Sequence, residues 1–97
     1  MTTKEPKKGM TDGERLALRE AASERLLYYH SRYDKYADCS QIAQRELNKH
    51  VPVLERLLGA IHDEKTPNTT IKDMLENMEQ KALKEYLEKK MAVLLRA

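Results

Sequence analysis

The chain has neither tryptophan nor phenylalanine, and its 97 residues include one cysteine, three glycines and three prolines. Each shortage excludes something. A β-sandwich core needs aromatic and β-branched bulk on two facing sheets. Here the apolar residues are mainly leucine and alanine, with isoleucine, valine, methionine and tyrosine, a set that packs helix against helix. So few turn formers in a chain rich in Leu, Ala, Glu, Lys and Arg mean a few long helices. A lone Cys39 makes no disulfide within the chain and points to a reducing compartment. No apolar run approaches the ~18 residues of a membrane span. The opening MTTKEPKKGM lacks the apolar stretch of a secretory leader. The expectation is a cytoplasmic protein with no membrane segment, in which Asn68-Thr69-Thr70 is plain loop rather than a glycosylation site.

Catalytic signatures are missing too. No serine stands in a Gly-x-Ser-x-Gly frame and no phosphate-binding glycine loop occurs. His30, His50, His62, Cys39, Asp63 and Glu64 are the metal-type residues, and none has His-x-x-x-His or Cys-x-x-Cys spacing. Cys39 has only Lys35 as a basic neighbour and reads as a helix-junction residue. No enzyme activity, cofactor or metal is expected. The net charge is +2, and it resides in the tail, where Lys4, Lys7 and Lys8 oppose Glu5. A nucleic-acid binder usually clusters its basic excess on a folded face.

Residues 1–10 are polar, contain Pro6 and Gly9, and show no periodicity; they are expected to form a flexible basic arm. Residues 11–97 are expected to form a single helical domain. Thr11-Asp12-Gly13-Glu14 has the capping-box pattern, in which the Thr11 hydroxyl and the Glu14 carboxylate each take the other's backbone N–H. Ala22, Leu26, Tyr29, Tyr33 and Tyr36 then recur at helical spacing, with Tyr28 off the stripe, so a helix is predicted from about 12 to about 37. Asp38 and Ser40 offer caps for the next helix, whose stripe is Ala43, Leu47, Val51, Leu54, Leu58 and Ile61. Pro52 falls inside that stripe. It removes one backbone donor and opposes the Asn48 carbonyl, so a kinked or split helix is expected from about 40 to about 63. After the turn chemistry of Thr66-Pro67-Asn68, Thr69 or Thr70 caps a third helix reaching almost to Arg96. That helix has two apolar lines: Ile71, Leu75, Met78, Ala82 and Tyr86, then Leu83, Leu87, Met91 and Leu94. The fold class is therefore all-α, a three-helix assembly with a kinked or split middle helix. An apolar face that wide outruns one neighbour, and a chain this small often completes its burial on a partner.

The partner-binding candidates follow from that surplus. Tyr28 and Arg32 lie off the buried stripe of the first helix, where tyrosine gives large amphipathic contact area at little entropic cost. Met91 and Leu94 belong to the wide face of the last helix. Thr66, Pro67 and Asn68 form an exposed loop whose Thr66-Pro67 bond takes either isomer within ~0.5–1 kcal/mol. For Pro67 the readings are a plain turn proline or a residue that shapes a binding surface or is handled by a prolyl isomerase. Residues 40–58 also resemble a helix-turn-helix, although their outward positions near Pro52, Glu55, Arg56 and Gly59 offer little to a base edge.

With its length, its Lys-rich start MTTKEPKKGM, its three-helix layout and the isolated proline of Lys65-Thr66-Pro67-Asn68, the whole chain resembles the accessory anti-RecBCD proteins of P22-like lambdoid phages. The resemblance implies a phage protein at the host–virus interface. It would bind the host RecBCD helicase-nuclease on RecC near the Chi-recognition region and redirect DNA recombination toward the phage recombinase. It also makes Pro67 the natural target of a host cyclophilin. The expectation is a non-enzymatic protein-binding modulator. Its rivals are a small DNA-binding regulator using residues 40–58 and a homodimeric structural protein.

Overall fold

A computed structural model of the chain describes residues 10–35 and 41–96, and the side chains of 32–35, 41–43 and 46 lie outside that description. Among the described residues there are four helices and no strand: α1 (Asp12–Lys35), α2 (Gln41–His62), α3 (Asn68–Glu76) and α4 (Lys81–Arg96). The protein is all-α. Arm residues 1–9, Tyr36, Cys39 and the proposed caps Asp38 and Ser40 lie outside the described residues. Met10, assigned to the arm from sequence, is instead 7% exposed and belongs to the core.

The capping box forms as read. The Thr11 N–H donates to Glu14 Oε1 at 2.8 Å, and the Glu14 N–H donates to Thr11 Oγ1 at 3.0 Å. From there α1 is the helix that all others touch: α2, α3 and α4 each pack on it. Ala17, Leu18, Ala21, Ala22 and Tyr29 are its buried residues. The three alanines let neighbouring helices approach closely, because their side chains hold no surface away from the backbone.

Of the two forms expected for the middle helix, the split one does not occur. Pro52 is exposed on an uninterrupted 22-residue helix, its ring turned to solvent while Leu47, Leu54, Leu57, Leu58 and Ile61 face inward. Pro52 thus costs α2 one hydrogen bond but removes nothing from its packing face.

The third helix, in contrast, is broken. α3 ends at Glu76, residues 77–80 form the bend, and α4 starts at Lys81. The reason is angular. Ile71 and Leu75 are the buried residues of α3, whereas Leu83, Leu87 and Met91 are those of α4. Twelve positions separate Ile71 from Leu83, which on one straight helix would set them roughly 120° apart. Both sets cannot then face α1. The break at Asn77 (φ −94°, ψ 9°) brings each inward. Ala82 is left exposed and Tyr86 half-buried. Lys84 Nζ donates to the Glu76 carbonyl at 3.2 Å, pairing an end-of-helix acceptor with a cation. The start of α3 also differs from expectation. Pro67, not a threonine, is the cap residue (φ −72°, ψ 157°), and its carbonyl accepts from the Thr70 and Ile71 N–H groups.

Candidate functional site

The loop around Thr66, Pro67 and Asn68 was singled out from sequence as a binding element, and the polar atoms of Thr66 and Asn68 prove to be engaged inside the chain. Arg15, one residue beyond the capping box, extends its guanidinium across the end of α2. Its Nη2 donates to the carbonyls of Ile61 (2.8 Å), Asp63 (3.1 Å) and Ala60 (3.3 Å). Its Nη1 donates to the Thr66 carbonyl at 2.6 Å and to Asn68 Oδ1 at 2.8 Å. A planar cation thus closes carbonyls at the negative end of a helix dipole. Asn68 completes the joint, as its Nδ2 donates to the Met10 carbonyl and to Asp12 Oδ1, both at 2.9 Å. Thr66 Oγ1 donates to Asp63 Oδ2 at 3.3 Å. Thr66 and Asn68 are therefore half-buried members of a joint between α1, α2 and α3, while Pro67 alone of the three is exposed.

The second region is the tyrosine-rich part of α1. Tyr29 is 4% exposed and Tyr28 is 40% exposed, in keeping with the stripe read from spacing. The Tyr29 hydroxyl lies 2.6 Å from His50 Nδ1 on α2, with the rings edge to face. Beside them the Arg25 guanidinium carbon sits 4.5 Å from the ring centres of Tyr28 and Tyr86 and 4.9 Å from that of Tyr29. Arg25 Nε is buried with no hydrogen-bond partner among the described residues. Its charge is met by aromatic faces instead, and this joins α1 to α4. Lys90 Nζ, 3.2 Å from Glu24 Oε1, continues the same seam. Tyr28 consequently packs on both Arg25 and the Tyr29 ring, whose centre is 5.5 Å away, and keeps 40% of its surface exposed. Arg32 lies on α1, and its side chain is outside the described residues.

The third region corrects an expectation. Met91 is 8% exposed and Leu94 packs partly on the same core, so most of each side chain is used within the chain. Their neighbours Val93 (58%) and Leu95 (49%) are the exposed ones, and on α1 so are Leu16 (60%) and Leu27 (68%). Leu16 and Leu27 are eleven positions apart, which is close to three helical turns and puts them within roughly 20° of one line. No family model matches the chain, and no similar curated protein or solved structure was found.

Sequence reasoning missed the reach of Arg15, the packing of Arg25 between tyrosine faces, and the Leu16–Leu27 line. Nothing local marks Arg15, whose acceptors lie more than forty residues away. The leucine line was legible, because both residues fall opposite the stripe that contains Ala22 and Tyr29. The helix-turn-helix resemblance of residues 40–58 lacks its turn, since positions 41–62 are one helix. No helix among the described residues is long and apolar enough to cross a membrane.

Proposed function

We propose that the chain is a non-enzymatic, cytoplasmic protein-binding module that docks through the outer side of α1. One observation carries this reading. α1 is packed by α2, α3 and α4, yet Leu16 and Leu27 remain 60% and 68% exposed on its uncovered line. Isolated exposed leucines are ordinary on any surface. Two on one line of the most heavily packed helix form the kind of anchor that interfaces bury. The resemblance to the phage anti-RecBCD proteins makes RecBCD, through RecC, the first partner to test, and a recombination modulator the corresponding role.

The test is retention of purified RecBCD on the immobilised chain, compared with a Leu16→Glu/Leu27→Lys variant. Both residues are surface positions, so the variant's stability should stay within about 0.5 kcal/mol per site. Retention by the native chain and its loss in the variant is the expected result. No retention removes the RecBCD reading. Equal retention by both proteins shows that docking occurs elsewhere.

A further inference from the structure

Two grooves on the described surface hold apolar side chains that the exposed α1 line does not include. One lies between α2 and the α3–α4 bend, over Val53, Leu57, Met74 and Met78. Its rim has one cation, Arg56, and one anion, Glu79, so nothing in it selects an occupant. The other lies between the start of α1, α3 and the second half of α4. Its floor is Met10, Leu75 and Met91, all buried, and Leu95 carries the apolar surface outward at 49% exposure. Its rim has three carboxylates, Glu14, Glu76 and Glu88, against a single ammonium, Lys72. Lys72 Nζ stands 3.9 Å from Glu76 Oε2, in a contact exposed on both sides. Glu76 projects from α3 and Glu88 from α4, so the two exposed carboxylates come from different helices of the groove.

We propose that this second groove docks a short, basic, amphipathic segment of a partner protein. Apolar side chains of the segment enter over Met10, Met91 and Leu95, while lysine or arginine on its flanks meets Glu76 and Glu88. Methionines suit such a floor because their unbranched, polarisable side chains refit to different apolar shapes. The rim sets the sign of the partner: a segment bearing carboxylates would face like charge from both helices. Exposed carboxylates keep most of their water in the free protein, so they act on selection more than on raw affinity. Neither Leu16 nor Leu27 lines this groove, and the proposal stands or falls apart from docking on α1.

The experiment uses the full chain with its methionine methyl groups carbon-13 labelled. Met10 and Met91 report this groove, and Met74 and Met78 report the other. The probes are a short amphipathic peptide of leucine and lysine and its counterpart with glutamate for lysine. The expected result is that the lysine peptide shifts the Met10 and Met91 signals, leaves Met74 and Met78 in place, and binds at least about tenfold more weakly to a Glu76→Lys/Glu88→Lys variant. Both substitutions fall on exposed positions, and unchanged Met74 and Met78 signals verify that the variant is folded. Shifts at all four methyls alike, equal binding of the two peptides, or undiminished binding to the variant would each overturn the proposal.

Discussion

Replacing Arg15 with alanine should cost the protein more than any other single polar substitution among the described residues. The guanidinium donates to five acceptors on two segments more than forty residues away, at 2.6 to 3.3 Å. A charge-assisted bond contributes ~1.5–3 kcal/mol, but five cannot be summed, because they share one cation and Arg15 is only half-buried. Water reaches some of the freed carbonyls, and the bonds at 3.1 and 3.3 Å are weak. Two strong contacts at partial strength, with ~0.3–1 kcal/mol for a cation at a helix C-terminus, give a loss of about 2–4 kcal/mol. For a domain of this size that is roughly a 10–25 °C fall in Tm. The urea midpoint should drop by about 2–3 M with an unchanged slope. Arg15→Lys should recover only a small part, since an ammonium keeps the charge at the helix end but cannot span both segments. The refuting result is direct: if Arg15→Ala melts within about 3 °C of the native chain, the guanidinium is a surface ornament and the joint between α1, α2 and α3 is held by packing alone.

Two further outcomes test the helices themselves. Thr11→Ala should destabilise by about 1 kcal/mol and Thr11→Ser by much less, read as thermal melts by circular dichroism, because the hydroxyl that accepts the Glu14 N–H is lost in one and kept in the other. Pro52→Ala should raise the melting temperature, by about 1–3 kcal/mol of added stability, because an exposed position inside α2 regains a backbone donor without losing any packing; an unchanged or lower value would mean that a bend at Pro52 is what seats α2 on α1.

How much of this was legible in the sequence depends on how far each interaction reaches along the chain. The capping box spans three residues, and the phase of the α1 stripe separates Tyr29, inside, from Tyr28, outside; both were read from spacing alone and both hold in the structure. Pro52 was legible as a flaw in α2 and as an outward position, but not in its consequence, because whether the helix splits there depends on the packing that holds both halves in line. The break at 77–80 was misread. A single helix with a wide apolar face and two helices with narrow faces out of phase give the same residue pattern, and no glycine or proline marks the bend. Arg15 could not be found at all, since four of its five acceptors are backbone carbonyls, which no side-chain pattern records.

That break also relocates the argument for a binding surface. Read as one helix, residues 70–96 presented two apolar lines, too wide a face for one neighbour, and the excess was assigned to Met91 and Leu94. Broken into α3 and α4, the same residues place Ile71, Leu75, Leu83, Leu87 and Met91 in the core. The surplus on the last helix thereby shrinks to Val93 and Leu95 near its end. What remains is on α1, where three flanking helices cover the alanine-rich and tyrosine-bearing sides and leave the Leu16–Leu27 line outside. A helix already held on its other sides presents that line rigidly, so a partner covering it gains apolar contact without ordering the backbone beneath, and this lowers the entropic cost of binding. The case for docking is thus stronger on α1 than it ever was on the last helix, and it rests on two leucines rather than on an unburied core.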